Sequence, residues 1–127
     1  MNISSHSWVH AMPYLGSYAA TKAFNDTISR QCSKEVAHRK LDNIHVLSVR
    51  AMMVSSGSVK RERSLLVPTS RECAHDSLKY LGYCESTAGH IKHEVICHLT
   101  SLIPEFIMNK IIFSEASKVY EEFGAKG

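Results

Sequence analysis

The stretch Asn2–Asp26, "NISSHSWVHAMPYLGSYAATKAFND", decides how the rest of the chain is read. It holds Tyr18 and, four residues later, Lys22; thirteen residues before the tyrosine stands Ser5. From Tyr18 onward the pattern is helical. Ala20, Phe24, Ile28, Cys32 and Val36 recur every four residues and share one face of a helix running to about His38. The same spacing puts Tyr18 and Lys22 together on one side of its first turns. A phenol is a poor acid or base at neutral pH, and an ammonium within reach favours the phenolate. Such a pair suits proton exchange with a substrate oxygen. A hydroxyl facing that oxygen, from Ser5, can steady the charge that develops on it. Tyr-x-x-x-Lys by itself is a common pattern, and a partly exposed Tyr beside a solvated Lys is the plain alternative.

Around this stretch the chain alternates strand and helix. Ser4–Ser17 is rich in Ser, Gly, Pro and aromatics and reads as a loop. "LDN", Leu41–Asn43, ends the first helix. "IHVLSV", Ile44–Val49, is short and β-branched, as a buried strand is. A loop with "SSGS", Ser55–Ser58, follows. Pro68–Tyr83 reads as a second helix, with Pro68 near its start and Thr69 or Ser70 with Glu72 as capping chemistry. Gly89–Leu99 is predicted as a last strand, and the tail from Ile103 to about Phe123 as helix. This is the rhythm of a parallel α/β sheet. It amounts to about two crossover units, whereas a doubly wound domain carries roughly five to seven strands. No G-x-G-x-x-G run is present to cradle a phosphate.

Composition narrows the classes. A chain of 127 residues makes one modest domain. Its 44% hydrophobic and 21% charged residues are ordinary globular values. The net charge of +3 is scattered, with no basic stripe interleaved with aromatics, so no nucleic-acid partner is expected. "VKRERS", Val59–Ser64, is the densest cationic patch and reads as a solvated loop. Cys32, Cys73, Cys84 and Cys97 form no C-x-x-C pair, and the opening is read as lacking a signal peptide, so free thiols are expected. His90, His93, Cys97 and His98 match no metal-ligand spacing, and no metal is expected. "LTSLIPEFIMNKIIF", Leu99–Phe113, is too short and too broken by Pro104, Glu105 and Lys110 to span a membrane. It reads either as burial against the protein or as shallow contact with a membrane or an apolar substrate.

Taken together, "NISS", Pro13 and "YAATKAF" resemble the active-site segment of the short-chain dehydrogenase/reductase family. In that family Asn-x-Ser-Ser ends a buried strand and its second serine is catalytic; Tyr-x-[AS]-[ST]-Lys-[AG] follows thirteen residues on. The resemblance therefore implies Ser5, Tyr18 and Lys22 as catalytic residues, with Tyr18 and Lys22 also meeting the cofactor. Downstream, the family's Pro-Gly-x-Val-x-Thr contacts the nicotinamide end. Here the segment is "AMMVSS", which keeps Val54, offers the hydroxyl of Ser56, and departs from the pattern at Ala51 and Met52. The tail, "STAGHIKHEVICHLTSLIPEFIMNKIIF", is similar to a branch of hydroxysteroid dehydrogenases and very-long-chain 3-oxoacyl-CoA reductases.

The fold so implied is the C-terminal portion of a Rossmann-like doubly wound parallel sheet, residues 1–127 being a partial domain whose N-terminal dinucleotide-binding half is missing. The implied activity is oxidation or reduction of a ketone or secondary alcohol on a steroid or 3-oxoacyl lipid. The implied cofactor is NADP(H) in preference to NAD(H). Trp8, His10, Met12 and Tyr14 either line the substrate pocket or pack within their loop. The resemblance also implies the endoplasmic reticulum, with the cytoplasm as the alternative, peripheral membrane contact, and a homodimer through the Tyr18–His38 helix. The other class of function is a catalytically silent fragment that serves as an interaction module, and the truncated chain by itself is expected to be inactive.

Overall fold

A computed structural model describes residues 1–10, 12–57, 64 and 66–124. Its sheet has three parallel strands in the order β1-β2-β3: β1 (Asn2–Ser5), β2 (Ser48–Ala51) and β3 (Ser86–Thr87). Parallel neighbours need a long crossover. α1 (Gly16–His38) supplies the first and α2 (Ser70–Lys79) the second. Two further helices, α3 (Ile91–Ser101) and α4 (Glu105–Gly124), complete the order. The register pairs Ser5 with Ala51 and Val49 with Thr87. Because the strands are parallel, Ser5 and the segment leaving Ala51 emerge from the same edge of the sheet, the carboxyl edge at which open α/β sheets take their ligands. The expected α/β class and its parallel sheet are both present.

Several boundaries differ from the sequence expectation. Gly89–Leu99 is not a strand: the last strand is the short β3, and the segment beyond it is α3. Gly89, at φ +84°, turns the chain out of the sheet, and His90 caps the helix by accepting from the Lys92 amide at 3.2 Å. The β-branched residues Ile91 and Val95 suggested a strand, but with Leu99 they have the helical spacing of four. The stretch Ser4–Ser17 is not one loop. Ser4 and Ser5 end β1, His6–Trp8 form a 3-10 turn, and α1 already begins at Gly16. The strand expected over Ile44–Val49 starts later, at Ser48, and runs to Ala51. α2 is shorter than Pro68–Tyr83 but starts where its capping chemistry puts it. The Thr69 side chain accepts from the Glu72 amide at 3.2 Å, and the Thr69 amide donates to the Glu72 carboxylate at 2.9 Å. The tail is helical as expected. Val59–Arg63 of the cationic patch, and Ser58, lie outside the described residues.

α1 meets the sheet with its polar side. Its buried residues are Asp26 and Ser29, whereas Phe24 is 67% exposed and Ile28 is 44% exposed. The every-fourth apolar stripe is thus a real helical face, and it points away from the sheet. The buried apolar residues among those described are Leu47, Val49, Cys73, Ala88, Met108 and Ala116. Gly89 closes this core on the α2 side. A Cβ there would meet Ser77 Oγ at 2.7 Å and Val49 Cγ1 at 3.0 Å, so both its positive φ and its lack of a side chain are required.

Candidate active site

Ser5 is the last residue of β1, and its half-buried Oγ accepts from the Ser7 amide at 3.2 Å. That leaves the hydroxyl hydrogen free to donate elsewhere. Its neighbour Ser4 points the opposite way, as alternation along a strand requires. The buried Ser4 Oγ donates to the main-chain carbonyl of Lys22 at 2.6 Å. The Lys22 ammonium in turn donates to the Ile3 carbonyl at 3.1 Å. Lys22 is therefore tied to β1 through both its backbone and its side chain. Its Nζ stands 5.7 Å from the centre of the Tyr18 ring, and Tyr18 is 45% exposed. Ser5, Tyr18 and Lys22 are thus held on one strand and the helix packed against it.

Val54 and Ser56, the other expected contacts, follow β2 and are half-buried. Their segment is joined to the start of α2 instead of to α1. The Ser55 amide donates to the Pro68 carbonyl at 3.0 Å, and the Ser70 amide donates to the Ser55 carbonyl at 3.1 Å. The common carboxyl edge relates this segment to Ser5.

The 3-10 turn after Ser5 leads into a cluster that the spacing of residues did not reveal. His6 Nδ1 lies 3.4 Å from Cys97 Sγ on α3, and the same sulfur is 3.7 Å from Met52 Sδ. Burial, with the Arg50 guanidinium and His10 beside it, lowers the His6 pKa to about 4, so the ring is neutral at physiological pH. Burial raises the Cys97 thiol above its ordinary range, with Arg50 opposing, and the pair is thiol and neutral imidazole. His93, buried on α3, bonds the Leu66 carbonyl at 3.0 Å and is likewise shifted down by burial. Glu94 accepts from Thr87 Oγ1 at 2.6 Å and from the Ala88 amide, which joins α3 to the end of β3. The hints in the sequence were His6 directly after Ser5 and the group His90, His93, Cys97 and His98, whose spacing matches no ligand pattern. Cys97 is remote in the chain, and only the fold brings it there.

Of the expected pocket residues, Trp8 has a buried Nε1 without a hydrogen-bond partner among the described residues, and the His10 ring meets His6 edge-on at 6.1 Å. Tyr14, at φ +68°, stacks on Tyr120 of α4 at 4.5 Å. Met12 is half-buried. Between this segment and the α3–α4 junction lies a cleft of about 380 Å³, bordered by Val9, His10, Thr100, Glu105 and Asn109. The tail helix thus borders the loop that runs from Ser5 to Tyr18.

The chain is 31% identical over 109 residues to hydroxysteroid dehydrogenase-like protein 1 of Gallus gallus, 84% of this chain and 33% of that protein. It is 33% identical over 113 residues to the very-long-chain 3-oxoacyl-CoA reductase of Mus musculus, 88% of this chain and 35% of that protein. It is 26% identical over 121 residues to putative steroid dehydrogenase 1 of Caenorhabditis elegans, 95% of this chain and 38% of that protein. The chain therefore spans between a third and two-fifths of the length of the curated relatives it matches. No family model matches the chain, and no solved structure matches it significantly.

Proposed function

We propose that this chain, a relative of these proteins within the short-chain dehydrogenase/reductase family, carries the proton-transferring part of an oxidoreductase. Its substrate would be a ketone or secondary alcohol on a steroid or 3-oxoacyl lipid. The observation that carries the proposal is the double tie of Lys22 to β1, through Ser4 to its carbonyl and through its ammonium to Ile3, which sets Tyr18 and Lys22 beside the strand that ends in Ser5. The catalytic set is Ser5, Tyr18 and Lys22. Val54 and Ser56 would meet the nicotinamide end from the same edge of the sheet.

The donor set fits a nicotinamide dinucleotide at one point. The Lys22 ammonium spends one N–H on Ile3 and has two more for ribose hydroxyls. A pyrophosphate cradle is not among these residues, since the sequence has no glycine-rich turn. NADP(H) in preference to NAD(H) rests on the family resemblance alone. When bound, the dinucleotide supplies or takes up the hydride at the substrate carbon. In the direction of reduction, Tyr18 gives its phenolic proton to the carbonyl oxygen, and the Ser5 hydroxyl donates a hydrogen bond to that oxygen as charge gathers on it. Lys22 would hold the ribose, with its Nζ 5.7 Å from the centre of the Tyr18 ring.

The parent protein would act at the endoplasmic reticulum, with its apolar tail surface against lipid. A second reading is favoured by the exposed stripe of α1, where Phe24 and Ile28 stand free of the sheet. A second copy packed there would form a homodimer, and a chain lacking dinucleotide could persist as an interaction module through the same face.

The test uses the full-length protein that carries this segment, assayed with ketosteroids and 3-oxoacyl-CoA. Tyr18→Phe should lower turnover on the order of 10²–10⁴-fold while leaving dinucleotide affinity intact, and Lys22→Ala should damage both. A Tyr18→Phe protein that kept more than about a tenth of the wild-type rate, with chemistry limiting, would remove Tyr18 from the proton-transfer role.

A further inference from the structure

We infer that Asp26 is a positioning residue, whose carboxylate fixes where Tyr18 and Lys22 stand over the end of β1. Its meaning for turnover rests on the function proposed above; its meaning for the geometry does not. Asp26 is fully buried, one helical turn beyond Lys22 on α1. Its Oδ1 accepts from Ser48 Oγ on β2 at 2.6 Å and from Ser86 Oγ on β3 at 3.3 Å. Three residues on, Ser29 Oγ accepts from the Asn2 side chain on β1 at 2.8 Å. One turn before Asp26, the Lys22 carbonyl accepts from Ser4 at 2.6 Å. Every strand of the sheet is therefore hydrogen-bonded to the same side of α1, and the carboxylate alone reaches two of them. Arg30, one turn further on, leaves its guanidinium 3.7 Å from Oδ2 and about half exposed.

Two physical points make this a device for position. A helix usually lies on a sheet through an apolar stripe, and such contacts tolerate sliding because they are non-directional. Hydrogen bonds weaken steeply when length or angle departs from the optimum. Replacing the apolar contact with directional ties gives α1 one preferred axial setting. A buried polar group left without its hydrogen bonds is also costly, so settings that detach the Asp26 side chain from its serines are penalised further. Tyr18 and Lys22 sit at the end of α1 that must be placed to a fraction of an ångström, since a misplacement of about 1 Å can cost on the order of 10²-fold in rate.

The experiment compares crystal structures and steady-state kinetics of the full-length protein carrying this segment, as wild type, Asp26→Ala, Asp26→Asn and Ser48→Ala. The two alanine variants should show α1 displaced on β1, with the Ser4–Lys22 bond broken, and kcat lowered about 10²-fold with KM little changed. Asp26→Asn retains the Oδ1 acceptor and should restore both the bond and most of kcat. Should Asp26→Ala not fold, Ser48→Ala decides by the same readouts. An alanine variant that folds with the Ser4–Lys22 and Lys22–Ile3 bonds intact overturns the inference, and so does unchanged kcat on a displaced helix. If the wild type has no oxidoreductase activity but the helix still shifts in the variants, Asp26 keeps its role and the proposed function falls.

Discussion

At the residue scale, the side chains around Ser5 show how burial sets charge. His6 and His93 lose hydration on folding, and for both the uncharged ring is the native form. The folded-state pKa of His6, about 4, lies below its ordinary value of 6.5. The unfolded chain therefore binds the proton first as pH falls. By linkage, this contribution to stability is fully present above pH 6.5, is lost progressively down to about 4, and changes no further below that. His93 acts in the same direction. The urea midpoint of the protein should accordingly fall between neutral pH and pH 5, and His6→Gln should flatten that dependence. An unchanged pH profile in His6→Gln would show that the ring is hydrated in solution. The same neutrality bears on function, because an uncharged His6 beside Ser5 adds no cation to compete with Lys22.

At the element scale, α3 and α4 stand out for what they leave bare. Ile91, Val95 and Leu99 follow one another along α3 at 58%, 51% and 59% exposure, and Leu102 at the end of the helix is 79% exposed. On α4, Phe106, Ile107, Ile111 and Phe113 are all exposed, while Met108 and Ala116 are the buried positions among the described side chains. Closing the core is therefore not what most of these side chains do. No helix among the described residues is long and apolar enough to cross a membrane. An exposed apolar surface of this kind marks a contact site, and the proposed contact is shallow, with lipid. In liposome flotation the folded protein should rise partly with the lipid, and Phe106→Asp with Ile107→Asp should remain in the soluble fraction. Both substituted side chains are exposed, so the double variant should keep its fold. Wild-type protein that never floats would end the membrane proposal.

At the scale of the whole molecule, the exposed surface is large for the chain's mass. The chain exposes 8890 Å², whereas a folded monomer of 14.2 kDa is expected to expose about 6,800 Å². β1 is an edge strand, and Ile3 within it is 50% exposed. This agrees with the proposal that the 127 residues are a partial domain, completed by a portion that pairs with β1 and brings the phosphate-binding turn. The isolated chain is then expected to bind NADPH and NADH weakly or not at all, because its sequence has no glycine-rich turn to hold a pyrophosphate. Calorimetric titration checks this, and a Kd on the order of 1 μM for the isolated chain would contradict it.

What the sequence determined by itself is what depends on neighbours in the chain. Tyr18 and Lys22 four apart, the Thr69–Glu72 capping box, the alternation of strand with helix and the helical tail all rest on local spacing, and local spacing fixes local geometry. The tertiary structure decided what depends on which surfaces meet. Periodicity showed the apolar stripe of α1, but only packing shows that Asp26 and Ser29 face the sheet and Phe24 faces outward. Residues Ile91–Ser101 fit a strand or a helix by composition, and the turn at Gly89 with the His90 cap selected the helix. His6 and Cys97 stand 91 positions apart and meet only because α3 returns to the carboxyl edge of the sheet. Local propensity carries no information about such contacts, since their free energy exists only once the chain has closed the intervening loop.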